Sequence, residues 1–300
     1  MTTTTTATTS ATMPTTSAVP AHRGRFPATY ARIEILATLK RVDTVFFTVL
    51  MPLGMYLLFG KMSDFESTSA GHGNITASVM ISMAAYSVAI ASTALAASSA
   101  VELAGGWGRQ VSLTSGGMRA YLQAKLTAAI AISALPVVLI FAAGLLTGAQ
   151  IDSPGRWLAS FALCLVAALP FSAFGLAAGM WFPSYTAVGV ASSSVAGFAF
   201  LGGVFMPLGG VLFTLSRYTP LYGGARLAAR PLQGDVVATM TGIVHEPVWY
   251  ALANLVVWTV LFVAGCPAGP PPPPAAGPLG SRAAARPTSP WWTRCRRTDR

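Results

Sequence analysis

The chain has 300 residues, 53% of them hydrophobic and only 9% charged, with a formal net charge of +10. An ordinary soluble domain carries roughly 25% charged residues, so nine acidic and nineteen basic side chains cannot coat a water-soluble globule of this length. The apolar residues fall in long blocks rather than amphipathic stripes. Sixteen of the nineteen cations are Arg, placed mostly beside those blocks or in the last twenty residues, which fits membrane orientation better than a nucleic-acid-binding face.

Residues 1–26 are dominated by Thr, Ala, Ser and Pro and lack an apolar h-region; they are expected to be a disordered tail, neither signal peptide nor span. Over 27–41, Tyr30, Ile33, Leu36, Ala37 and Lys40 recur at helical spacing among Arg32, Glu34 and Arg41. This predicts a short amphipathic helix lying at the membrane interface.

Six apolar blocks follow within a transmembrane domain over 42–265, at about 42–60, 76–101, 126–149, 157–182, 186–213 and 247–265. A helix crossing a hydrocarbon core of about 30 Å needs about 20 residues, so the fold class predicted is an all-α integral membrane protein of six transmembrane helices. The third and fourth blocks are joined by the short turn Gln150 to Arg156, and the fifth is studded with glycine, which predicts a break before its end. With the N-terminus inside, fourteen Lys and Arg fall on inner segments against five on outer ones. That bias places both termini on the cytoplasmic side of the cell membrane. Omitting the last 35 residues leaves eight against five.

Residues 266–300 pass through Pro270 to Pro274 into an Ala, Pro and Arg mixture ending in Trp291-Trp292 and four Arg. Nothing there can build a core. Two readings stand: a basic tail with an aromatic pair resting on anionic headgroups, or a disordered, frameshifted end, which the composition favours.

No Asp, Glu, Lys, Arg or His lies inside a block; Asp43 and Glu102 sit at block ends. Ion-coupled carriers usually hold such groups within the bilayer, and an intramembrane hydrolase needs a nucleophile with a positioned base or metal. Both classes are disfavoured, and no catalytic residue is expected. Cys164, Cys266 and Cys295 and His22, His72 and His245 show no disulfide or metal-ligand spacing. The nearest approach to a phosphate loop, Gly60-Lys61-Met62, lacks its hydroxyl residue, so any ATP and Mg would be bound by a partner.

Small residues dominate instead. Gly144 with Gly148, and Gly175 with Gly179, form GxxxG pairs, and Gly189, Ser193 and Gly197 continue a small face in the fifth block. Such faces let helix backbones approach closely. Pro52, Pro136, Pro170 and Pro207 each remove a helical hydrogen bond, and kinks are expected there.

The stretch between the second and third blocks contains Glu102, Gly106, Trp107, Arg109, Gln110, Leu113, Thr114, Tyr121 and Lys125 at fixed spacing. It resembles the loop of ABC-2 type permeases, the membrane subunits of one class of ATP-binding-cassette exporters, which follows a pattern like E-x-x-x-G-W-x-R-Q-L-x-L-T-P-x-x-x-x-x-Y-x-x-x-K. Val111 replaces the usual Leu, and Ser115 stands where Pro is common. Gly202-Gly203-Val204-Phe205-Met206-Pro207-Leu208, then Tyr218-Thr219-Pro220 and Pro231, resemble the family's broken fifth span and re-entrant outer segment. The similarity runs from about Ala31 to Gly265, and the tail departs from the family.

The resemblance implies a permease subunit that moves an apolar or amphipathic compound, a drug-like metabolite or a lipid, outward by drug-efflux-like export, using ATP hydrolysed on a separate ATPase subunit. It implies pairing with a second copy or a paralogue, and coupling to the ATPase through Glu102, Gly106, Trp107, Arg109 and Gln110. Gly203, Phe205, Pro207 and Pro220 become candidates for the broken helix and outer gate. Export of a lipid-linked glycan by the same family is the alternative. A channel, secondary carrier or scaffold outside the family is the other.

Overall fold

A computed structural model describes residues 28–40, 42–61, 69–107, 117–182, 184–240 and 242–266. The tails expected over 1–26 and beyond Cys266 lie outside the described residues. So do Arg109, Gln110 and the Trp107 side chain.

The elements in chain order are α1 (Ala28–Leu39), α2 (Val42–Val45), a π-helical turn (Phe46–Leu50), α3 (Met51–Lys61) and α4 (Ile75–Glu102). A second π-helical turn (Leu103–Trp107) precedes α5 (Gly117–Leu146), α6 (Pro154–Val166), α7 (Ala168–Trp181) and α8 (Tyr185–Leu201). Then come α9 (Gly210–Ser216), α10 (Pro220–Gln233), β1 (Val236–Thr239), β2 (Gly242–His245) and α11 (Val248–Ala264). The helices from Ile75, Ala128 and Pro154 are long and apolar enough to cross a membrane. Shorter apolar helices cover Phe46–Gly60, Tyr185–Leu201 and Val248–Ala264.

The centre of the bundle is α4. Its sequence is mostly Ala, Ser, Thr, Val, Ile and Met, thin enough for neighbours to approach, and α5, α7, α8 and α10 all pack on it. Of its most apolar stretch 72% is buried, against 28% for α6–α7, whose exposed apolar surface faces outward. Three hydroxyls of α4 inside this core find carbonyl acceptors. Ser87 donates to the Ala84 carbonyl and Ser92 to that of Ala89, while Thr93 Oγ1 crosses to the Phe171 carbonyl at 3.2 Å.

Three expectations change. The third helix starts at Gly117 rather than near 126, so Arg119 and Lys125 belong to the first turns of α5 and not to a loop. The fourth block is two helices: Pro170 has no N–H for the Val166 carbonyl, and α6 ends at Val166. By contrast Pro136 lies inside α5 without interrupting it. The chain is also not wholly helical, because β1 and β2 pair antiparallel from Val236↔His245 to Thr239↔Gly242. Gly242 at φ 134 supplies the backbone turn.

At one end of the bundle Asn74 ties two connections together. Its Oδ1 accepts from Ala77 N, capping α4, and from Gln150 N, both at 3.0 Å, while Nδ2 donates to the Gly148 carbonyl at 2.8 Å. The residue is buried. Asn74→Ala is expected to lower stability by about 1–3 kcal/mol, since it removes a cap and leaves buried backbone groups unpaired. Asn74→Asp, which keeps the acceptor, should cost less; thermal unfolding of the detergent-solubilised protein checks both.

Candidate functional site: a side cavity and a buried ionic cluster

A cavity of about 470 Å³ lies between α1, the first π-helical turn with the start of α3, α4 and α8. Its wall includes Thr48, Tyr86, Ile90, Ser98, Glu102 and Ser192. The size falls in the range of small-molecule pockets, and so does the mixture of apolar wall and a few polar groups. Glu102, at the C-terminal end of α4, contributes the carboxylate. Lys125 Nζ reaches Glu102 Oε2 at 2.8 Å, with the lysine side chain 12% exposed.

Of the residues expected to couple to a partner, then, Glu102 is a wall of the cavity and an ion-pair partner of α5. Gly106 adopts φ 91 inside the second π-helical turn, where it interrupts the helical backbone.

The candidate gate residues occupy the turn after α8. Gly203 takes φ 67, Pro207 is exposed, and Pro220 is the buried first residue of α10. Phe205 reaches back into the bundle, its ring edge-on to Tyr86 at 5.0 Å and 4.6 Å from that of Phe200. Tyr86 thereby joins this turn to the cavity.

The GxxxG pairs part company. At Gly175 an added Cβ would lie 2.2 Å from the Thr93 carbonyl oxygen, and at Gly179 2.5 Å from that of Ala97, so this pair seats α7 on the backbone of α4. Gly148 instead lies past the end of α5 at φ 88, where it terminates the helix rather than packing it.

Sequence reasoning treated Arg217, Arg226 and Arg230 as topology charges and passed over Glu246. In the structure they converge. Glu246 is 4% exposed; its Oε1 accepts from Arg217 Nε at 2.9 Å and its Oε2 from the Tyr222 hydroxyl at 2.7 Å, with Arg226 Nε 3.8 Å away. Arg230 donates to the Glu246 carbonyl at 3.1 Å and pairs with Asp235. The Arg217 guanidinium lies 4.3 Å over the Tyr250 ring, and the Arg217 carbonyl accepts from Asn254 at 2.8 Å. Burial, followed by the hydrogen bond to Glu246, drives the Tyr222 phenol well above its usual range. The available signal was the four-residue spacing of Tyr222, Arg226 and Arg230, which places them on one stripe of α10.

This cluster fastens the 202–247 segment to α11, and Gln233 fastens it to α4 through Ser78 Oγ at 2.6 Å. Among the described residues no group of three His, Cys, Asp or Glu is placed to hold a metal ion.

Apolar helices packed around α4, three of them long and apolar enough to cross a membrane, are compatible with a helical membrane protein. No family model matches the chain. The chain is 24% identical over 234 residues, covering 77% of its length and 91% of the relative, to the "Putative transport permease YvfS" of Bacillus subtilis (strain 168). The likeness and the apolar helices support a membrane transport permease.

Proposed function

We propose that this chain is the permease subunit of an ATP-driven exporter of the ABC-2 type, resident in the cytoplasmic membrane. The six spans are the π-helical turn with α3, α4, α5, α6 with α7, α8, and α11, both termini lying in the cytoplasm. The two 17-residue helices, α8 and α11, rise about 25 Å each, and flanking residues complete their crossing.

In this reading the cavity holds an apolar or amphipathic cargo. A partner ATPase, carrying ATP and Mg, closes on the segment from Glu102 to Lys125; a second copy or paralogue completes the pathway. The observation that carries the proposal is the double position of Glu102, which opens the permease-like motif and also forms a wall of the cavity. Movement of the segment at Glu102 would then alter the cavity directly.

The test is a search of the adjacent genes for an ATPase with a phosphate loop, which this reading expects there, then co-purification of the two chains and transport in inverted vesicles. Arg109→Glu is expected to reduce ATP-dependent cargo movement at least tenfold and to abolish cargo stimulation of ATP hydrolysis, with the permease still folded. Unchanged export and stimulation would refute coupling through this segment.

A further inference from the structure

We infer that Arg217 holds the phosphate of an anionic phospholipid headgroup, at the end of the bundle where α11 begins. Glu246 accepts from this guanidinium at Nε alone. Nη1 and Nη2 have no hydrogen-bond partner among the described residues, and neither is shut away from solvent. Two contacts fix the direction of that free edge: the Nε bond holds one side of the group, and the Tyr250 ring, 4.3 Å from Cζ, sets its plane. What remains is a two-nitrogen fork, the geometry that takes two oxygens of one phosphate. Arg226 and Arg230 offer no such edge. Their terminal nitrogens are engaged, those of Arg226 on Gln233 and the Val236 carbonyl, those of Arg230 on Asp235 and the Glu246 carbonyl.

Charge points the same way. Arg230 is balanced by Asp235, but Arg217 and Arg226 share the single carboxylate of Glu246, so this part of the cluster keeps one positive charge. Of the two sharing arginines Arg217 is the more exposed, 32% of its side chain against 13%, and the surplus emerges there. A phosphodiester carries one negative charge to match it. The surroundings make that phosphodiester a lipid's. Tyr250, Asn254, Val257 and Leu261 follow one face of α11, and Val257 and Leu261 are exposed. From Tyr250 to Leu261 the face runs about 16 Å, near half the thickness of a hydrocarbon core. Exposed Tyr218 stands next to Arg217 in the chain, in keeping with aromatic residues at headgroup level. An acyl chain can follow this apolar run from a headgroup seated on Arg217; a soluble phosphate would leave it bare.

The experiment uses the full chain in dodecylmaltoside micelles, titrated with dioleoylphosphatidylglycerol and read by native mass spectrometry. One retained lipid per chain is expected, held about tenfold more tightly than dioleoylphosphatidylcholine, whose ammonium cancels the phosphate charge. This comparison needs only the unaltered chain. Arg217→Gln should weaken phosphatidylglycerol about tenfold and erase the preference. Arg156→Gln, at an arginine about as exposed and also paired with a carboxylate, should change neither. A large excess of inorganic phosphate should leave the lipid in place. Displacement by phosphate would give the fork to a free anion and overturn the inference. Equal retention of the two lipids by the unaltered chain, or equal losses in the two variants, would overturn it too. Nothing in the assay depends on ATP or cargo, so the exporter reading and this one can fail separately.

Discussion

Glu246→Ala is expected to destabilise the protein by about 3–5 kcal/mol, the usual cost of removing one partner from a buried ion pair. Glu246 is 4% exposed, and it receives the Arg217 guanidinium, the Tyr222 hydroxyl and, at 3.8 Å, Arg226. Without the carboxylate, Arg226, whose side chain is 13% exposed, keeps its charge in a site that no longer contains an anion. For a chain of this size each kcal/mol moves the unfolding midpoint by roughly 2–4 °C, so a drop on the order of 10 °C is predicted for the detergent-solubilised protein. Glu246→Gln should fall between the two, since the amide oxygen can still accept from Tyr222. The double variant Glu246→Gln with Arg226→Met should cost less than the sum of its parts, because the pair is removed together. A midpoint within 2 °C of wild type for Glu246→Ala would show that the cluster is not closed as described.

Gly175→Leu is the second change with a large predicted effect. The first added carbon already falls 2.2 Å from the Thr93 carbonyl oxygen, a backbone atom that cannot swing aside. The two helices must separate, and the Thr93 to Phe171 hydrogen bond at 3.2 Å goes with them. Overpacking of this kind costs typically 1–3 kcal/mol; Gly175→Ala should lie inside that range and Gly175→Leu at or above its upper end. Gly189→Ala is the control. It is also a glycine within an apolar helix, but nothing lies within 4 Å of its added carbon, so it should be neutral or stabilising by about 0.5–1 kcal/mol through helix propensity. Equal losses at both positions would refute close packing as the cause.

Those two glycines also mark the limit of what the sequence made legible. Helices fall within each apolar block, the fourth split at Ala167 and the fifth ending at Leu201, because an apolar run in lipid leaves the backbone little choice but to pair with itself. A GxxxG spacing, however, is the same string whether its face meets another backbone, as Gly175 and Gly179 do, or spills past a helix end, as Gly148 does. The split at Ala167 was visible as Pro170, yet Pro136 leaves α5 whole. The 202–247 segment was least legible. Its ionic cluster joins Glu246 to residues 16 to 29 positions earlier, such as Arg230 and Arg217, and no local periodicity encodes such pairings. The candidate site was partly legible: Glu102 stood out by its motif, while Tyr86 had nothing in its sequence neighbourhood to separate it from an ordinary buried aromatic.

The ion pair between Glu102 and Lys125 has a thermodynamic consequence. A single carboxylate belongs both to the wall of a cavity and to a bond with the neighbouring helix. Any molecule that fills the cavity more tightly when that bond is in one arrangement must favour that arrangement by the same factor, since linkage between two equilibria is reciprocal. If an ATPase acts on this segment to change the affinity of the cavity, an occupied cavity necessarily changes the affinity of the ATPase for the segment. Cargo would then act as an effector of its own transport, with an influence bounded by the coupling free energy that passes through one glutamate and one lysine.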